Sequence, residues 1–226
     1  MKLHFYGHAC FAVETAGKTL LFDPFISGNE LARGVDLNKV PADYILVTHG
    51  HYDHVADAAA IARRTQATVI ASFEVATWLE KQGVAKTHSM NHGGAFTFEF
   101  GRVKFVNAIH SSSLPDGSYG GNPGGFVIES KAGNFYYSGD SALTLDMKLI
   151  GEATRLDFAV FPIGDNYTMG IEDAIRAAEF VRCDQILGLH YNTFPVIQID
   201  PLEAQARFKA TGKQLYLLQP GDSREF

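Results

Sequence analysis

The chain has 226 residues, 46% of them hydrophobic, with 22 Gly, 8 Pro and a net charge of −6. That length allows one or two domains and a sizeable core, and no linker, low-complexity tract or apolar run approaching about 18 residues interrupts it, so a membrane span is not expected. Lys and Arg are scattered and the pI is near 5.8, which argues against a broad nucleic-acid surface but still allows a small phosphorylated substrate.

The opening MKLHFYGHACF lacks the charged, apolar and small-residue order of a signal peptide, so the expected location is the cytoplasm. Lys2–Tyr6, Cys10–Glu14 and Lys18–Phe22 read as short strands joined by turns at Gly7-His8 and Ala16-Gly17, an antiparallel meander ending in Asp23-Pro24-Phe25. Cys10 and Cys183 are too few and too far apart for a disulfide framework, and both read as buried thiols. After a polar loop over 26–38, the buried strand Tyr44–Thr48 runs into His49, His51, Asp53 and His54, the last two at the start of a helix that continues over Asp57–Ala62.

Neutral imidazole nitrogen and carboxylate oxygen form the borderline ligand set that suits zinc and its neighbours. Nine His in the chain rarely place three with an Asp inside six positions. The four occupy a strand-to-helix turn, at the edge where α/β folds place ligands. His49 and His51 can face one point while Asp53 and His54 reach a second, so two adjacent metals are geometrically allowed.

Further along, Ala67–Ala71 is a strand, and Ser72 caps a helix running to about Gln82, with Gly83 as its stop. Ala95–Phe100 and Val103–Ile109 form a hairpin around Gly101-Arg102 that delivers His110. A second hairpin, Gly125–Ser130 and Asn134–Ser138, ends in Gly139-Asp140. Leu143–Glu152 reads as helix, Phe158–Phe161 as buried strand, Ile171–Val181 as helix with an acidic first turn, and Gln185–Leu189 as a strand ending in His190. Asp200-Pro201-Leu202-Glu203 is a helix start with N-cap Asp and Pro at the first position, and Gln214–Leu218 is the last strand. This order suits two mixed sheets packed face to face with helices outside, a four-layer αββα sandwich of the α/β class forming one domain over 1–226. His110, Asp140 and His190 each follow an apolar strand, as His49 does, so four strand ends converge on one edge.

With HGHYDH at 49–54 and a His, an Asp and a His after later strands, the chain resembles the metallo-β-lactamase superfamily. More narrowly, GHACF (7–11), DPFISGN (23–29), MNHGG (90–94), HSSS (110–113), SGD (138–140), YTMG (167–170) and HYNTFP (190–195) look like its bacterial metal-dependent hydrolases akin to ascorbate-6-phosphate lactonases. The resemblance implies one divalent metal held by His49, His51 and His110, a second held by Asp53, His54 and His190, Asp140 bridging, and a shared water. Zinc is the default, with manganese, iron and nickel open. His51 stands where the superfamily's di-iron oxygen reductases typically carry Glu.

The expected activity is hydrolysis by a hydroxide held between the metals, with Asp53 and Asp140 at its centre, of a phosphodiester or sugar-phosphate lactone. Thioester or other small-ester hydrolysis, or a non-catalytic metal-dependent ligand-binding scaffold, are the alternatives. His8 is expected either to pair with Asp23 behind the ligands or to donate a proton to the leaving group. His92, Tyr167 and Tyr191 are expected as donors or substrate contacts. The expected partner is a small-molecule substrate, and a homo-oligomer is left open.

Overall fold

The computed structural model describes residues 1–226 and arranges them in two seven-stranded sheets. The first half of the chain contributes β1 (Lys2–Gly7), β2 (Cys10–Thr15), β3 (Lys18–Phe22), β4 (Tyr44–Leu46), α1 (Tyr52–Val55), α2 (Ala58–Thr65), β5 (Thr68–Ser72), α3 (Phe73–Lys81) and β6 (Thr87–Met90). The second contributes β7 (Ala95–Phe98), β8 (Gly101–Asn107), β9 (Gly124–Ser130), β10 (Gly133–Tyr137), α4 (Asp146–Ala153), β11 (Phe158–Pro162), α5 (Ile171–Phe180), β12 (Gln185–Leu189), α6 (Pro201–Ala210) and β13 (Gln214–Tyr216). A last strand, β14 (Ser223–Glu225), returns to the first sheet.

The sheet orders are β14-β1-β2-β3-β4-β5-β6 and β13-β12-β11-β10-β9-β8-β7. Each half begins as an antiparallel meander and turns parallel, at β3 to β4 in one and at β10 to β11 in the other. Tight turns join most consecutive antiparallel neighbours, β8 and β9 being linked instead by the loop 108–123, whereas parallel neighbours need the longer crossovers that the helices and loops supply. From β3 and β10 onward, the parallel strands of each sheet therefore end along one edge, where the site lies.

Alternation along the strands builds three apolar layers. Leu20 and Phe22 face the opposite sheet while Leu21 faces α2 and α3. Likewise Phe158 and Val160 turn inward while Ala159 and Phe161 meet α4, α5 and α6. Between the sheets, Phe11 stacks on Phe22 at 4.6 Å and meets Tyr137 edge-on at 5.1 Å. Burying each such ring stabilises the fold by about 1.5–3 kcal/mol. The expected αββα arrangement is the one observed. None of the helices is long and apolar enough to cross a membrane.

Departures from expectation are local. The single helix expected from Asp53 and His54 on through Ala62 is two pieces, α1 and α2, because the Asp57 N–H donates to the Pro24 carbonyl at 3.0 Å rather than back into α1. Strands β6 and β14 were not anticipated; β14 runs antiparallel to β1, with Lys2 opposite Glu225, and covers that sheet edge. The expected caps are present: Ser72 accepts from Val75 N, and Asp200 accepts from Leu202 N and Glu203 N.

Candidate metal centre where the two sheets meet

Two backbone bonds join the sheets at this edge, His190 N–H to the His8 carbonyl at 3.0 Å and Gly124 N–H to the Thr48 carbonyl at 3.1 Å. Three site residues, His8, Asp23 and His190, sit in the left-handed region with φ of 55°, 40° and 57°. Such backbone costs about 1–3 kcal/mol per residue and persists only where surrounding contacts over-determine it. Gly139, which precedes Asp140, has φ of 62°, and a Cβ there would meet the Gly124 carbonyl at 2.7 Å and Thr48 Cβ at 2.9 Å. Only glycine lets β10 end this close to the opposite sheet and present Asp140.

The seven residues that the sequence reading put forward as ligands are brought together. Asp140 Oδ2 lies 2.9 Å from His190 Nε2, 3.3 Å from His54 Nε2 and 3.6 Å from His110 Nε2. Asp53 Oδ2 lies 3.0 Å from His8 Nε2, 3.6 Å from His190 Nε2 and 3.8 Å from His54 Nε2. His49 Nε2 is 2.9 Å from His51 Nδ1, and the ligating atoms of His49, His51 and His110 fall within 4.8 Å of one another. So do those of His49, His54 and Asp140, and those of His8, Asp53, His54 and His190.

Buried and without a hydrogen-bond partner at this point are His54 Nε2, both ring nitrogens of His190, and Asp140 Oδ1. A buried polar atom left unpaired costs about 1–3 kcal/mol, and several clustered together are compensated when a cation takes them as ligands. The donor set, five imidazoles and two carboxylates, has the N/O chemistry of zinc and its neighbours.

Tautomers are set from behind. Buried Asp23 accepts four hydrogen bonds, from Thr48 N (2.8 Å), Thr48 Oγ1 (2.7 Å), Tyr137 Oη (2.7 Å) and His54 Nδ1 (2.9 Å). Since Nδ1 of His54 donates to Asp23, its Nε2 is the nitrogen that faces the cluster and would give its lone pair to a bound cation. The Thr48 hydroxyl, its proton directed to Asp23, accepts from His49 Nδ1 at 3.0 Å and leaves the His49 Nε2 lone pair free as well.

His8 does not pair with Asp23. Its Nε2–H donates to Asp53 Oδ2 at 3.0 Å, and its Nδ1 accepts from the Thr193 hydroxyl at 2.9 Å. Its side chain is fully buried, and it is not among the residues lining the cavity over the cluster. Burial, reinforced by the neighbouring His190, pulls its pKa down to about 4, so it is neutral and holds one proton for Asp53.

Burial also pushes His49 well below the imidazole range. For His54 burial acts in the same direction, but the carboxylates of Asp140, Asp53 and Asp23 outweigh it and raise the group well above 6.5. His190 rises to about 9 against its burial, chiefly through Asp140. Both Asp53 and Asp140 are held below the carboxylate range although burial opposes it, Asp53 mainly by His54 and Asp140 mainly by His190. In the bare cluster, imidazolium charge neutralises the carboxylates, the task a bound cation would take over.

A cavity of about 310 Å³ opens over the cluster, lined by His51, Asp53, His110, Ser111, Asp140, Tyr167, His190 and Phe194. Larger hollows of about 480 and 610 Å³ touch none of the ligand candidates, so chemistry rather than volume selects the site. Tyr167 stands on this cavity. Tyr191 does not: it lines a separate hollow of about 210 Å³ behind His8, where burial raises its phenol to about 12. His92 is also misplaced in the sequence reading, since its Nε2 donates to the Pro123 carbonyl at 2.9 Å and it borders the groove beside Arg102 and Lys104.

Sequence reasoning missed Thr48, Ser111, Tyr137, Thr193 and Phe194. Four of these had a usable signal: Thr48 precedes His49, Ser111 follows His110, and Thr193 and Phe194 lie in HYNTFP. Tyr137, an ordinary core position on a strand, gave none.

Against known proteins, the family model described as a beta-lactamase superfamily domain matches residues 2–190. A metal-dependent hydrolase of Christiangramia forsetii is 55% identical over 226 residues, covering 100% of both chains. Another, from Flavobacterium johnsoniae, is 53% identical over 225 residues with the same coverage. Among solved structures, a metallo hydrolase of the hyperthermophilic archaeon Ignicoccus hospitalis superposes with a TM-score of 0.89 at 33% identity, covering 100% of this chain and 98% of that one.

Proposed function

The chain belongs to the β-lactamase superfamily, among its metal-dependent hydrolases, and from that premise we propose that residues 1–226 form one hydrolase domain holding two divalent cations, zinc by ligand chemistry, that cleaves an ester-type bond in a small molecule. The observation that carries this reading is the convergence of seven ligand candidates, three of which, His54, Asp140 and His190, hold buried nitrogen or oxygen atoms with no partner in the protein. His49, His51 and His110 form one constellation and Asp53, His54 and His190 the other, with Asp140 Oδ2 between them.

When bound, such a pair of cations supplies an acidified water and polarises the oxygen of the scissile group. The protein's part is positional. Asp23 aims His54 directly and His49 through Thr48, so both present lone pairs without rotating. His8 fixes Asp53 by its Oδ2, and no protein group bonds the other oxygen, which leaves Asp53 on the cavity as the residue that takes a proton from the attacking water. The bond cleaved is a phosphodiester or a carboxylic ester of lactone type.

Metal analysis of protein purified without chelator is expected to give close to two ions per chain, falling in Asp140→Ala. A single tightly held ion that Asp140→Ala leaves unchanged sinks the dinuclear reading. A panel of an aryl phosphodiester, a sugar-phosphate lactone and a thioester, each with Mn and Zn, reads the bond class; turnover of none, together with tight ligand binding, overturns the hydrolase reading.

A further inference from the structure

Five of the eight side chains on the cavity are themselves ligand candidates, which leaves Ser111, Tyr167 and Phe194 to meet whatever part of a substrate lies beyond the reacting bond. These are a hydroxyl, a phenol and a phenyl ring, and neither Lys nor Arg reaches the cavity. The fold fixes the backbone that carries Tyr167 and the ring of Phe194. Tyr167 is 56% exposed on a loop where Asp165 and Asn166 take φ of 60° and 54°, a pair of left-handed residues that needs external support. That support is visible: Asp165 N–H bonds the Met169 carbonyl at 3.1 Å, and Met169 N–H bonds the Ser141 carbonyl at 3.0 Å, one residue beyond Asp140. Phe194 packs edge-on against His8 at 5.3 Å and follows the Thr193 that bonds it.

We propose that Tyr167 and Phe194 form the seat for an uncharged, apolar or aromatic group of the substrate, so that a small neutral carboxylic ester or lactone is preferred over one carrying a distal phosphate. This rests on the hydrolase reading above and narrows it. With the cluster engaged at the scissile group, a distal phosphate gives up its water and finds no guanidinium or ammonium, while Asp53 and Asp140 are close by. An aryl or alkyl group instead buries apolar surface and packs on two rings. Hydrolysis then adds one water across the acyl C–O bond, the water oxygen bonding to carbon and its proton leaving on the alcohol, with no other co-reactant.

The test uses two γ-lactones with the same ring, one bearing a benzyl and the other a phosphonooxymethyl substituent, and the two matching lactams as ligands that resist hydrolysis. In the metal-loaded protein the benzyl lactone is expected to have the higher kcat/KM by about ten-fold or more, and calorimetry to rank the benzyl lactam tighter. Phe194→Ala is expected to raise KM for the benzyl lactone about ten-fold with kcat and metal content little changed. Preference for the phosphorylated member in either assay, no measurable binding of the benzyl lactam, or an unchanged KM in Phe194→Ala overturns the proposal. If neither lactone is hydrolysed, the lactone member of the bond class proposed above fails on its own, and the lactam ranking still decides this one.

Discussion

Four donors converge on the Asp23 carboxylate, and two of them, His54 and Thr48, orient candidate ligands. Asp23→Asn keeps the shape but offers one acceptor oxygen and an NH2 that faces groups already donating, so His54 loses its fixed tautomer. Affinity for zinc, read by competition with a chromogenic chelator, is expected to fall about 10–100-fold, as for other partners behind metal ligands; an unchanged affinity removes Asp23 from that role. The metal-free protein should also show a stability optimum between pH 6 and 7. His8 has a folded pKa of about 4, below its ordinary 6.5, so the unfolded chain binds more protons between those values and stability falls as pH drops through that window. The effect of this one group is at most about 3 kcal/mol. His190, raised to about 9, contributes stability fully present below 6.5 and lost as pH rises through 9. Urea unfolding at pH 5, 6.5 and 8.5 checks both limbs, and a monotonic profile contradicts them. The ligand candidates were legible because four stand within six positions and the others close apolar strands. The partners of Asp23 and His8 were not, because they lie 25 to 185 positions away. His92 and Tyr191 misled for a related reason: adjacency to a glycine turn or to a ligand says nothing about which side of the turn a side chain takes.

Between α1 and α2 the chain breaks at Asp57, and that break ties the helix to the loop carrying Asp23. The buried Asp57 carboxylate accepts from Ile26 N at 2.6 Å, Ser27 N at 2.9 Å and Ser27 Oγ at 2.6 Å. Asp57→Ala leaves the buried Ile26 N–H and the part-buried Ser27 N–H without their acceptor and is expected to destabilise the protein by about 1–3 kcal/mol, measured by urea unfolding. Hydrogen exchange should quicken at Ile26 and Ser27 before it does in the strands; a variant with unaltered exchange there refutes the tie. A helix from Asp53 into the alanines after Asp57 was readable from composition, but its interruption at Asp57 was not, since the competing acceptor, the Pro24 carbonyl, comes from another element. Caps at Ser72 and Asp200 were readable because an N-cap acts within three residues. Strands β6 and β14 escaped because THSM and SRE lack alternation and gain strand geometry only by pairing with β5 and β1.

His49, His51, Asp53 and His54 hang from the first sheet, and His110, Asp140 and His190 from the second, so any cation held among them links the two halves of the sandwich. The inter-sheet core needs no metal, since its aromatic rings are fully buried and packed on one another. What the metal adds is concentrated at one edge, where left-handed backbone at His8, Asp23 and His190 and unpaired buried nitrogens store cost. The metal-free chain should therefore keep its fold with a lower melting temperature. Cation at about 100 times its Kd stabilises the native state by about 2.7 kcal/mol, and for a chain of this size each kcal/mol moves Tm by about 2–4 °C. Chelation is thus expected to lower Tm by about 5–11 °C in scanning calorimetry, with the transition still cooperative. Loss of all cooperative unfolding on chelation would mean that the metal holds the sheets together rather than relieving one edge. A Tm unmoved by chelator, in protein shown to have lost its metal, would mean that the unpaired atoms at this edge are satisfied without it.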